Sequence, residues 1–323
     1  MTKLRALIFA VLALVLSGAL ALENLDLAEL GKQAASGSAA AKEEIERRAA
    51  GGDAYAEHLM GLMHISGQGA VQSDTQALDW FLRAAKKGHL PSQHNLGVIH
   101  ERTAGSLRDA AEARRWYLSA AEQGYARSQA KIGAFYLDGV EVPADTDRGK
   151  AWIEKAAAQG EPYAQYRLGM LYVEGRGYEK DLKKAAQLIN QAAEGKDRDA
   201  QYQAALLYHD GRGVAKDHRK SLRWLRAAAD QRQAEAEYLL AVVTKRGWLG
   251  VKPNDRQAIA LLHRSAVQGH APAQYQLGLA YAEGLSVKPD PEEAYGWMLR
   301  AARQGHGPAI EQVRRIQAGV KKN

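Results

Sequence analysis

Ser128 and Lys131 stand three residues apart. On a helix that spacing brings a hydroxyl and an amine to one face, as for a nucleophilic serine and its base. Such chemistry also needs a Ser-Asp-Asn and a Lys-Thr-Gly segment, and neither string occurs in the 323 residues. Ser128 also shares a sequence column with Ala56, Ser92 and Ala164, which reads it as a small packing residue. Among the ten histidines, His58 and His94 lie 36 residues apart, and the next residue in their column is Ala130. A metal shared along that column would lack a third donor. There is no cysteine, so a thiolate metal site, a cysteine nucleophile and a disulfide framework are excluded. No Walker loop, dinucleotide fingerprint, zincin motif or nucleophile elbow occurs. We therefore expect no catalytic residue, no metal and no cofactor.

Behind these scattered groups lies a repeat. A small residue follows a Leu-like one at Gly61, Gly97, Gly133, Gly169, Ala205, Ala241 and Gly278, at intervals of 36 with one of 37. A fixed period of this length means stacked supersecondary units rather than two ordinary domains. The blocks are 53–88, 89–124, 125–160, 161–196, 197–232, 233–269 and 270–305. Each predicts two helices. Helix A carries the small residue, with Ala or Ser five before it, as at Ala164 and Ala200, and often Tyr three after it, as at Tyr172 and Tyr208. These offsets share one helical face. Glycine closes helix A at Gly67, Gly139, Gly175, Gly211, Gly247 and Gly284, where a left-handed backbone is expected; block two has Thr103 there, with Gly105 nearby.

Helix B opens at Asp109, Asp145, Asp181, Asp217, Asn254 and Asp290, short acceptors suited to N-caps. It then carries Trp80, Trp116, Trp152, Leu188, Trp224, Leu261 and Trp297, each four residues before a small pair such as Ala228-Ala229. We read this column as the large partner of the small residues on helix A. Block ends are glycine except at Lys196 and Arg232, where a different local curvature is expected. The reading is an all-α, right-handed solenoid of seven helix pairs with capping helices in 22–52 and 306–323.

Residues 1–21 have the three parts of a secretory signal. Lys3 and Arg5 precede an apolar run to Leu16, and Ala19-Leu20-Ala21 ends it. The run is short of the ~20 residues a membrane span needs, so a signal cleaved after Ala21 and a periplasmic or secreted chain are expected, without a membrane span after cleavage; an uncleaved anchor is the alternative reading. The net charge of +7 is too small for this length to indicate a nucleic-acid partner.

The pattern Ala-x-x-x-Leu-Gly-x-x-Tyr-x-x-Gly-x-Gly, then Asp, then Ala-x-x-Trp-x-x-x-Ala-Ala, clearest in Gly169–Gly177 and Ala200–Ala229, resembles the Sel-one-like repeat, a relative of the tetratricopeptide repeat. The resemblance implies a right-handed superhelix with helix A lining a concave groove. It also implies an adaptor role in signalling, envelope assembly, exopolysaccharide control or host contact. Cysteine-rich members of the family are linked to β-lactam binding; this chain has no cysteine.

Three features stand apart from packing. Tyr166, Tyr202, Tyr238 and Tyr275 recur three residues before the small position, as an aromatic stripe suited to an extended peptide or a glycan. Asp138, Glu174 and Asp210, with Arg246, lie five residues after it and give the middle of the groove an acidic lining. Trp248 stands outside the helix B column beside the single-residue insertion of block six. Lys216, Arg219, Lys220, Arg223 and Arg226 make helix B of block five basic, which reads as a solvated convex face or as a site for an anionic partner such as a lipid headgroup or polysaccharide. The expected function is a monomeric, non-enzymatic periplasmic adaptor holding a protein partner in its groove. An envelope polysaccharide scaffold is the alternative, and a weak β-lactam or cell-wall hydrolase using Ser128 is the third.

Overall fold

The structure is a computed structural model that describes residues 26–102, 108–140 and 142–320. The expected signal sequence and the Thr103–Gly105 turn lie outside these residues. Within them the chain forms seventeen α-helices and no strand. Two helices, α1 (Leu27–Ala35) and α2 (Ala39–Ala50), precede the repeats. Helices A and B then alternate: α3 (Ala54–Ser66) and α4 (Asp74–Lys86), α5 (Leu90–Arg102) and α6 (Ala110–Glu122), α7 (Ala126–Asp138) and α8 (Thr146–Ala158). They continue as α9 (Pro162–Glu174) and α10 (Leu182–Glu194), α11 (Arg198–Asp210) and α12 (His218–Asp230), α13 (Ala234–Arg246) and α14 (Asp255–Val267), α15 (Ala271–Glu283) and α16 (Pro291–Arg303). A single helix, α17 (Gly307–Val320), follows the last pair. The chain divides into two compact units, one ending at Ala156 and one beginning at Ala157. Inside each unit, consecutive helices pack on one another.

Why these residues make these hairpins is visible in their caps and their packing. Asp181 and Asp290 accept from the first-turn amides of α10 and α16, and Asn254 does the same for α14. Gly175 and Gly211 end α9 and α11 with φ of 74° and 77°, a region that costs other residues about 1–2 kcal/mol. Lys196 and Arg232 adopt φ of 66° and 62°. They make the same left-handed turn as Gly124 and Gly160 at φ 93° and 82°, so the two junctions keep the local backbone turn expected to differ there.

The small residues of helix A do meet a large partner on helix B, but the register is one residue later than expected. A Cβ added to Gly97 would lie 2.6 Å from Tyr117, one on Gly133 2.7 Å from Ile153, one on Gly169 2.8 Å from Ile189 and one on Gly278 2.8 Å from Met298. Tyr117, Phe81, Ile153, Ile189 and Met298 are fully buried. The tryptophan column stands beside this seam: Trp80, Trp116 and Trp152 are half-buried, whereas Trp224 and Trp297 are buried. Cations lie over these rings, with Arg83 4.6 Å from the Trp80 centroid and Arg223 4.4 Å from that of Trp224.

A polar column ties neighbouring repeats together. Gln93, Gln129, Gln201 and Gln274 are buried, and each Nε2 donates to the carbonyl of an alanine eight residues earlier, at the end of the preceding helix B. The Oε1 of Gln201 accepts from Gln231, and that of Gln274 from Gln304. In the same column Glu57 pairs with Lys87 at 2.8 Å, and Glu237, fully buried, accepts from Arg264 and Gln268, both at 2.6 Å. Apart from Oε2 of Glu57, which is buried without a hydrogen-bond partner, these bonds satisfy groups whose burial would otherwise cost stability.

Candidate functional site

The serine and histidine candidates resolve into packing. Ser128 is fully buried, its Oγ 3.0 Å from Nδ1 of His94. Lys131 points elsewhere, donating to both carboxylate oxygens of Glu101 at 3.0 and 3.1 Å. One repeat earlier, Ser92 is equally buried and meets Nδ1 of His58 and of His89, each at 2.9 Å. Burial, with His89 adding to it, pushes the His58 imidazole down to about 3; burial, then Arg127 and Lys131, pushes His94 down to about 4. These serine–histidine pairs repeat with the fold and are closed to substrate. Among the described residues, no group of three or more potential ligands is arranged to hold a metal ion.

The tyrosine column lies between successive A helices. Tyr238 packs its ring 4.9 Å from that of His270, and Tyr275 packs 5.0 Å from His306. His270 and His306 open the following A helices, so each ring stacks across a repeat boundary. Tyr166 and Tyr202 are half-buried in the same column. Burial and then the Asp199 and Asp197 carboxylates push the Tyr166 hydroxyl up to about 12, and burial followed by Glu235 raises that of Tyr202. Each of these rings keeps one part open to solvent.

Asp138, Glu174, Asp210 and Arg246 are exposed, each the last residue of its A helix. Arg246 turns over Trp248, its guanidinium 5.5 Å from the ring centroid. The inserted residue of block six converts the usual loop into a short 3-10 turn, Trp248–Gly250, with Leu249 at φ 56°. Trp248 is 51% exposed.

Beside Trp248 lies a cavity of about 330 Å³, bounded by Leu206 and His209 of α11, Leu225 of α12, Val243 of α13, and Leu249. Its walls are largely apolar, and it lies wholly within the second unit. Tyr202, Leu206 and His209 follow i, i+4, i+7 spacing, so they occupy one face of α11. The cavity brings Leu206 and His209 of α11 beside Trp248, a juxtaposition that the sequence columns do not show, and Tyr202 stands one turn before Leu206, outside its lining. Its sequence signal was the insertion itself, which places two large apolar residues where blocks one, four and five have a Gly-x-Gly loop.

A second, polar groove of about 690 Å³ lies between α10 and α12, lined among others by Gln187, Asn190, Tyr208, Lys220 and Arg223. Lys220 stands 5.1 Å from the Tyr208 centroid, and Arg223 donates to Glu194 at 3.2 Å. No helix among the described residues is long and apolar enough to cross a membrane.

Comparison with known proteins matches this architecture. The family model described as Sel1 repeat matches seven times, at residues 54–89, 90–125, 126–161, 162–197, 198–232, 234–270 and 271–306. A Sel1 repeat protein of Oxalobacter formigenes is similar at 30% identity and a TM-score of 0.61, over 89% of this chain and 84% of that one. Protein c5321, a protective antigen present in uropathogenic Escherichia coli strains and displaying an SLR fold, is similar at 30% identity and a TM-score of 0.55, over 91% and 67%. No curated protein matches the chain.

Proposed function

The chain belongs to the Sel1 repeat family, whose members generally mediate protein–protein interactions through a typically non-enzymatic scaffold, and we propose that it is an exported adaptor that binds a protein partner. The observation that carries this reading is the surface on the A helices of the second unit. There, half-buried Tyr202 and Tyr238 lead toward an exposed tryptophan and an apolar cavity. Aromatic anchors beside desolvated pockets are where binding energy concentrates.

The signal-like residues 1–21 support cleavage after Ala21 and residence in the periplasm, with roles in envelope signalling, exopolysaccharide handling or virulence-related contact. Amino-terminal sequencing of the chain recovered from a periplasmic fraction tests the export. Affinity capture from envelope extract tests the adaptor. Partners should be recovered with the parent chain and reduced with the Tyr202→Ala, Tyr238→Ala double variant; unchanged recovery removes this surface from the account.

The polar groove favours a second reading, a scaffold for an anionic polysaccharide, because Lys220 over Tyr208 and Arg223, paired with Glu194, line it beside the amides of Gln187 and Asn190. Silence on an array of acidic glycans counts against it. The hydrolase reading has no support in the placement of Ser128: turnover of a chromogenic β-lactam, if any, should survive Ser128→Ala.

A further inference from the structure

We propose that the cavity beside Trp248 seats one bulky apolar side chain of an extended partner segment, and that the segment carries a lysine or arginine four or five residues away, held by Asp199 and Glu235. This rests on the protein-binding reading and specifies its ligand. The cavity supplies the anchor. About 330 Å³ bounded by Leu206, Leu225, Val243 and Leu249 admits a large side chain, and Trp248, already half exposed, can cover it. Leu249 holds a left-handed backbone at φ 56°, a conformation that costs a branched residue energy and that recurs at binding sites.

Charge supplies the second contact. Near the start of α11 and of α13, the Nε2 of buried Gln233 donates to both Asp199, at 3.4 Å, and Glu235, at 2.7 Å. Two carboxylates are thus gathered on one amide beside Tyr202, and neither forms an ion pair among the described residues. At the opposite end of the same helices, Arg246 stands over Trp248. Two carboxylates therefore stand at one end, whereas the other is apolar at the cavity, with Arg246 over Trp248 and the exposed Asp210 closing α11. A complementary segment places its cation over Tyr202 and its apolar residue at Trp248.

The spacing follows from helix geometry. Asp199 and His209 are ten residues apart on α11, about 15 Å at the helical rise. An extended chain covers that in four or five residues.

The test uses the full chain and fluorescein-labelled Gly/Ser nonapeptides read by fluorescence anisotropy. A peptide with Lys and Trp five positions apart should bind about tenfold more tightly than its Trp→Ser, Lys→Glu or two-position-spacing controls. The double variant Asp199→Asn, Glu235→Gln removes the charge of a half-buried and an exposed carboxylate and should abolish the preference for Lys over Glu while keeping that for Trp over Ser. Leu206→Glu should remove the Trp preference, with circular dichroism confirming the fold. Equal binding of all peptides, or no binding of the parent peptide at about 1 mM, overturns the proposal. If envelope partners are captured equally by the parent chain and these variants, the proposal fails and the adaptor reading stands. If the parent chain captures no protein, the adaptor reading itself fails.

Discussion

Gly213, in the loop after α11, abuts the carbonyl oxygen of Leu182 at the start of α10 so closely that a Cβ on Gly213 would fall inside that oxygen's van der Waals shell. The contact fixes how the loop of one repeat rests on helix B of the one before. Gly213 also holds φ at 73°. Gly213→Ala should therefore combine left-handed strain with forced backbone displacement, a loss of about 2–5 kcal/mol. Urea titration followed by circular dichroism measures it; a loss under about 0.5 kcal/mol would show that the loop is not seated there.

The seam between helices A and B predicts a contrast between adjacent residues. Phe81 is fully buried against Gly61, whereas Trp80 is half-buried under Arg83. Phe81→Ala should cost about 3–5 kcal/mol. Trp80→Ala should cost clearly less, because part of its surface is already wet. The reverse order in denaturation midpoints would place the tryptophan column in the seam after all.

Lys196 adopts a glycine-like backbone without being glycine. Lys196→Gly relieves about 1–2 kcal/mol of left-handed strain and gives back part of it as unfolded-chain entropy. The net expectation is stabilisation by roughly 0.5–1 kcal/mol, visible as a higher melting temperature. A lower one would mean that the lysine side chain contributes more than its backbone costs.

Acid should weaken the first unit. The folded state holds His58 and His94 neutral, with values near 3 and 4, whereas an unfolded histidine titrates near 6.5. Between those limits the unfolded chain binds more protons. Stability is therefore full above about pH 6.5 and falls as the pH drops toward 4, by up to roughly 1.4 kcal/mol per pH unit for each histidine. Melting curves from pH 7.5 to 4.5 should show this fall, with a shallower slope in the His58→Gln, His94→Gln double variant. Equal slopes would assign the acid sensitivity to other groups.

Much of this was legible in the sequence because each column of a repeat occupies one environment. The period of 36, the N-caps at Asp181 and Asp290, and the closing glycines follow from local rules acting identically in every block. Rotation about helix B was not legible. Trp80 and Phe81 are both large and apolar, and periodicity alone cannot choose between adjacent residues. The column through Gln93, Gln201 and Gln274 recurs at the repeat interval, yet its role depends on an alanine carbonyl in the neighbouring helix, a partner with no side-chain signature. Tyr238 was legible as a stripe residue, but its stacking on His270 depends on the next repeat. Trp248 stood out as an exception, and its cavity exists only because α11, α12 and α13 meet beside the insertion.

The central claim is that the A-helix surface around Tyr202 and Trp248, rather than the basic helix B face, receives a protein. A photo-crosslinking amino acid placed at Arg246 and, separately, at Arg226 in cells tests it most directly, since both positions are exposed. The account predicts a discrete protein adduct from position 246 and none from 226. Adducts from 226 alone, or from neither position, would contradict it.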